Sequence, residues 1–309
     1  MRVTNAQLIV VLTIIFLVGG ISQSYAASGN LRYSITVSKF KNEASWSGQW
    51  SVGDGFTTIL TAALQDSNEF LVLGDKEMRN EAMIEQDFGA SGRTAKGKKT
   101  AQTGRMTPAQ LLVRGSVTHV AQSTSGGGGG ISFMGVRLGG SKDSAEVNIT
   151  MYLVDSETGQ VKASTKVVGE SDRKGLSVGY HGSALGGLTG DMDGFMKDNV
   201  GKACEDAVAQ GVEFLVAQLE DIPWEGTVAM AKPDKIIINR GSREGVAEGT
   251  IFDVGGIEEI VDPDTGEVLD SEMTRIATIE VTRVKEKIAY CKLIDGSGIE
   301  KGMTIFPAR

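Results

Sequence analysis

The chain is 309 residues long, with 31 Lys and Arg against 39 Asp and Glu and a formal charge of −8. That acidic balance does not invite nucleic acid, so no nucleic-acid partner is expected. With two histidines (His119, His181), two cysteines and no zinc-ligand spacing, the expectation is no metal site, no cofactor and no enzyme. Glycine is the outlier, 41 residues against a usual share of about 7%, whereas proline stays at five, which excludes a collagen-like or Pro-rich profile.

Arg2, the apolar run Leu8–Val18 and the small residues Ser24 and Ala26 read as a secretory signal peptide over residues 1–26, cut after Ala26. Its loss takes one cation and no anion from the chain. The alternative is an uncleaved anchor helix of about 20 residues; Gly19, Gly20 and the polar stretch behind them argue against it. No cysteine lies near the cleavage site, so the mature start at Ala27 is expected to carry no lipid. Nothing later is apolar for long enough to be a transmembrane helix, so any membrane contact has to use strands or a surface face.

Leu31–Phe40 alternates with period two and predicts a strand. A loop, Lys41–Gly55, carries Trp46 and Trp50. Phe56, Ile59, Leu60, Ala63 and Leu64 then recur at helical spacing, with Asp54 as the expected cap. Phe70–Leu73 reads as a short buried strand. Asp75 opens a second helix, with Met78, Ala82 and Met83 expected inward and Lys76, Arg79 and Glu85 in water. Residues 89–106 form a polar loop, Thr107 and Pro108 read as a helix cap and first turn, and Leu111–Val117 returns to strand.

Arg114–Val154 is strand-like apart from Gly126–Gly130. In its second arm Val147, Ile149, Met151 and Leu153 alternate with Glu146, Asn148, Thr150 and Tyr152. Asp155–Gly159 reads as a turn and Val161–Val168 as the answering strand. A second Gly-rich passage, Ser171–Gly194, precedes an amphipathic helix with Val200, Cys204, Ala207, Val208, Gly211, Leu215 and Leu219 on one stripe. Cys204 and Cys291 each sit in an apolar pattern and read as single buried thiols. Beyond the boundary at Ile222 and Pro223, strands are expected at 235–239, 251–254, 275–281, 288–293 and 304–306. Gly245–Gly249 and Gly298–Gly302 look like one turn used twice, and the module reads as a small, closed or nearly closed all-β barrel.

Two motifs fall short of the chemistry they suggest. Gly92–Lys98 resembles a phosphate-binding loop, but Lys99 stands where the magnesium-binding hydroxyl belongs and the loop follows a helix, not a strand. Asp262–Glu267 has too few oxygen ligands for a calcium loop and reads as a hairpin turn. The Gly-rich passages say more. Ile131, Phe133, Val136 and Leu138 in the first, and Leu176, Val178 and Tyr180 in the second, alternate with small or polar residues. That is the membrane-barrel pattern, at strand lengths of about 9–11 residues; the alternative is a pair of loose periplasmic loops, because consecutive glycines weaken strands.

Leu31–Val37, Leu60–Ser67, Met106–Gly115, Ala145–Asp155 with Thr158 and Gly159, and Gly211–Leu215 together resemble the CsgG/HfaB family, which includes the curli secretion channel of the outer membrane. The similarity runs over about residues 30–222 in conserved order and spacing. Ile236–Val246 and Val261–Glu267 look like the C-terminal domain of the flagellar protein FlgT. The resemblance implies a mixed α/β (α+β) periplasmic domain over residues 27–222. It also implies two membrane-inserting β-hairpins per subunit, about 124–144 and 171–195, closing one shared barrel in a homo-oligomeric ring, with a C-terminal β domain at 223–309. The resemblance further implies about nine copies, on taking the largest known barrels, of about 36 strands, as this family's with four strands per subunit.

The implied function is an outer-membrane channel, with domains facing the periplasm. It would pass unfolded polypeptide or curli-like fibre subunits by passive diffusion, with periplasmic accessory proteins as further partners. The alternative reading is a periplasmic or outer-membrane anchoring ring of the holdfast- or flagellar-accessory kind; the missing lipid-anchor cysteine and the extra C-terminal module point that way. The family narrows its pore at the loop corresponding to residues 41–55, so Asn42, Trp46, Gln49 and Trp50 are the expected constriction. A lesser role, one tryptophan plugging the core and the other lying incidentally on the surface, is the alternative for that pair.

Overall fold

The computed structural model describes residues 31–48, 50–95, 97, 100–123, 144–172, 198–266 and 268–308. The expected signal peptide therefore lies outside the described residues.

The first half is a mixed sheet in the order β3-β1-β4-β5-β6. Its strands are β1 (Tyr33–Val37), β3 (Phe70–Val72), β4 (Leu111–Ser123), β5 (Ser144–Asp155) and β6 (Val161–Glu170). β1 runs parallel to β3 and β4, whereas β4, β5 and β6 are mutually antiparallel. The short β2 (Lys41–Asn42) continues the line of β1 beside Ser116 and Val117 of β4.

Alternation decides which face is covered. In β5, Ala145, Val147, Ile149, Met151 and Leu153 are buried, while Glu146, Asn148, Thr150 and Tyr152 between them are at least partly exposed. Burying five such side chains stabilises the fold by roughly 1.5–3 kcal/mol for each large one. The cover consists of α1 (Val52–Ser67) and α3 (Asn199–Ala217), which pack on each other and on this face. Val200, Cys204, Ala207, Val208, Gly211 and Leu215 form the buried stripe of α3. Close approach sets its seat: a Cβ at Gly169 of β6 would lie 1.9 Å from the carbonyl oxygen of Ala203. Asp206 reinforces it by accepting the Glu170 N–H at 3.1 Å.

The second half is a closed six-stranded barrel, β10-β11-β8-β7-β12-β9, made from β7 (Gly226–Lys232), β8 (Lys235–Ile238), β9 (Ile251–Val261), β10 (Val268–Val284), β11 (Ala289–Gly296) and β12 (Thr304–Pro307). The repeated turn is real: Gly245, Gly249, Gly298 and Gly302 all have φ between 78° and 96°, a region that favours glycine. Trp224 stacks on Phe252 at 5.4 Å, both rings buried. The two halves meet where Arg32 N–H donates to the Glu244 carbonyl, the Tyr33 hydroxyl donates to the Ile222 carbonyl, and Arg243, paired with the buried Glu244 carboxylate, donates to Thr107. Cys204 and Cys291 are buried free thiols, and burial pushes the latter up to about 12.

Three local expectations are corrected. The helix α2 (Lys76–Ala90) is capped by Asp75 as expected, but it buries no residue: Met78 is 62% and Ile84 60% exposed. Periodicity reports which residues share a face, and here no described element lies over that face. Thr107 and Pro108 start no helix; the Pro108 carbonyl accepts from Ser34, and Gln110 exchanges hydrogen bonds with Ser34. The first helix begins at Val52, capped by Ser51 rather than Asp54.

The seat of α3 yields a test. Gly169→Ala forces a methyl into backbone and should lower stability by about 1–3 kcal/mol in urea titration. Wild-type stability in that variant would mean that α3 is not held against β6 there.

Candidate pore loop and strand rim

The candidate loop leaves the sheet at the carboxyl end of β1. Its base is clamped on both sides. Phe40 is buried against Phe56 of α1, ring centroids 4.7 Å apart, and its N–H donates to Thr57 Oγ1 at 2.9 Å. The first turn of α1 presses on the same point, since a Cβ at Gly53 would fall 2.2 Å from the Phe40 carbonyl oxygen. Lys39 and Asp54 close the outside of the base with an ion pair of 2.8 Å, whose hydrogen bond and charge hold the Lys39 ammonium above its ordinary pKa. Both partners are well exposed, so the pair positions the loop more than it stabilises it.

Above this clamp the loop is short, because residues 52–55 belong to α1. Glu43 N–H donates to the Val117 carbonyl of β4 at 2.9 Å. Asn42 Nδ2 donates to the Trp46 carbonyl at 2.7 Å, which closes a local ring. Ser45 takes φ 53°, an uncommon conformation for a non-glycine residue, and the Trp46 indole lies where a Gly48 side chain would be. Trp46 and Trp50 are both half-buried and pack on the edge of the core, so neither ring is fully enclosed. Gln49 lies outside the described residues.

β4 leads away from this loop to a rim. The β4–β5 ladder is paired up to Ser123 and Ser144. The β5–β6 ladder ends at Glu146 and Glu170, extended by Ser171, whose N–H donates to the Ala145 carbonyl and whose Oγ accepts the Ala145 N–H. The end of β4, the start of β5 and the end of β6 therefore stand side by side at one end of the sheet. Both Gly-rich segments connect there. The expected hairpin residues Ile131, Phe133, Val136, Leu138, Leu176, Val178 and Tyr180 lie outside the described residues.

The family model described as "Curli production assembly/transport component CsgG" matches residues 21–235, more than half of the chain. The chain belongs to the CsgG family. The match spans the whole sheet with its helices and ends at the first residue of β8, so most of the barrel lies beyond it. No curated protein sequence matches. Among solved structures, the chain is similar to a hypothetical protein from Chlamydia trachomatis, at 11% identity over 62% of this chain and 100% of that one, with a TM-score of 0.36. It is also similar to the PelC dodecamer from Paraburkholderia phytofirmans, at 11% identity, 58% and 84% coverage and a TM-score of 0.29. A lipoprotein from Neisseria meningitidis matches at 16% identity, 62% and 99% coverage and a TM-score of 0.26.

Sequence reasoning placed the loop but missed the clamp beneath it. The one signal was Gly53, which with Gly55 puts two glycines into the first turn of the helix. Asn42→Ala removes a single exposed hydrogen bond, worth about 0.5–1.5 kcal/mol, and should leave the melting temperature nearly unchanged. Hydrogen exchange at the amides from Glu43 to Gly48 should accelerate; unchanged exchange would show that Asn42 does not organise the loop.

Proposed function

We propose that this CsgG-family chain is a subunit of a homo-oligomeric outer-membrane secretion channel, and that unfolded polypeptide or fibre subunits cross it by diffusion, with no chemical step. The observation that carries the reading is the rim. Two Gly-rich segments with apolar-small alternation leave one end of one sheet from three neighbouring strand ends. Four strands per subunit cannot stand in lipid with unpaired edges, so insertion requires a closed ring of copies. The loop carrying Trp46 and Trp50 projects beside β4, on the side of the sheet from which those segments leave.

In this mechanism, ring symmetry repeats Asn42, Trp46, Gln49 and Trp50 around the axis and narrows the path. Half-exposed indoles offer an extended chain weak contacts that tolerate any sequence, because they rest on apolar area rather than on specific hydrogen bonding. The clamp at Phe40 and Gly53 keeps the collar from collapsing into the path. A folded domain is excluded by size, and no nucleotide is consumed.

Single-channel conductance in planar bilayers tests the collar. The Trp46→Ala, Trp50→Ala double variant should conduct clearly more than the wild-type channel while assembling into the same ring. Wild-type conductance in a properly assembled double variant would remove these residues from the constriction.

A further inference from the structure

Away from the loop and the rim, the barrel surface gathers positive charge around a single aromatic ring. Arg283 of β10 lies directly opposite Tyr290 of β11, and Ile237 of β8 flanks Tyr290 on its other side. Lys235 stands two residues from Ile237 in β8, so strand periodicity turns it to the same face as Tyr290, and Lys285 follows β10 immediately. The Arg283 guanidinium carbon is 3.9 Å from the ring centroid, and the ammonium groups of Lys235 and Lys285 are each 5.7 Å from it. Among the described residues none of these three cations pairs with a carboxylate. In a chain of net charge −8, such a concentration runs against the average field of the molecule.

Two of the cations, Lys235 and Arg283, line a shallow cavity of about 250 Å³ together with Thr282 and Tyr290, with Asp234 the one carboxylate; Lys285 reaches the Tyr290 ring from outside that lining. A water molecule occupies about 30 Å³, so the space holds a tetrahedral oxyanion with some of its hydration. A guanidinium carries five N–H donors in a fixed fork, more than its contact with one ring and one phenol can occupy, so donors remain for a ligand. The phenol adds a further donor. Burial alone raises the Tyr290 pKa, but the charges and hydrogen bonds of Lys285 and Arg283 outweigh it and hold the phenol below its ordinary value, as expected where positive potential is strong.

We propose that Lys235, Arg283, Lys285 and Tyr290 form a binding site for a phosphate-class oxyanion on the outside of the C-terminal barrel. The ligand is a free phosphate or phosphomonoester, or the phosphate of a lipid headgroup; the recognition chemistry is the same. The site does not depend on the channel reading, since all of it except Lys235, the last matched residue, lies beyond the family match and it uses none of the loop or rim residues.

The test is calorimetric titration of the full chain with inorganic phosphate, beside co-sedimentation with phosphatidylcholine vesicles made with and without phosphatidylglycerol. Wild-type protein should bind phosphate saturably. Arg283→Gln and Lys235→Ala should each weaken binding about fivefold, and Lys301→Ala, an exposed control in another turn, should leave it unchanged. All these positions are exposed, and circular dichroism should report the same fold throughout. Capture by anionic vesicles alone, lost in the Arg283 and Lys235 variants, assigns the ligand to lipid; phosphate binding without such capture assigns it to soluble phosphate. Absence of both, or binding equally strong in the variants, overturns the site.

Discussion

The covered face of β5 is the constraint from which the rest of the first half follows. Ala145, Val147, Ile149, Met151 and Leu153 must all point into the core beneath the helices, where α3 packs on β5, and a one-residue slip would turn all five to water. That requirement locks the register of β5 against β4 on one side and β6 on the other. The locked ladders deliver three strand ends to one rim in a defined order. Whatever the Gly-rich segments build starts from a template set by ordinary core packing.

The high glycine content serves at least two physical ends within the described residues. At Gly53 and Gly169 the missing side chain lets backbone touch backbone, once to clamp the loop base and once to seat α3. At Gly245, Gly249, Gly298 and Gly302 it permits the left-handed turns that close the barrel. In the proposed channel, a rigid base beneath a short loop would suit a constriction better than a long flexible loop, since ordering a flexible collar around each passing chain costs conformational entropy.

Much of this was legible from periodicity. The alternation in β5, the stripe on α3 and the paired glycine turns each report a local geometric rule, and each appears in the structure. What stayed hidden depends on partners distant in sequence. The apolar residues of α2 share a face, yet nothing in the spacing says whether that face is covered. The Ser51 cap is the exception, a local signal read three residues late: its Oγ accepts the Asp54 N–H in a Ser-x-x-Asp start that puts Asp54 in the first turn. Thr107 and Pro108 have the signature of a helix start but are used to bond Ser34 and Arg243. The strand β7 was missed because Gly226–Lys232 lacks clear alternation, and the cations around Tyr290 meet only through the registers of three strands.

The proposed function requires a ring whose subunits share one barrel. Imaging of detergent-extracted, membrane-derived protein by electron cryomicroscopy tests this claim most directly. The account predicts a closed ring with a single transmembrane barrel whose strands are residues of the segments near 124–144 and 171–195, continuous with β4, β5 and β6. A ring, or a lone subunit, in which those segments lie outside the membrane would contradict it.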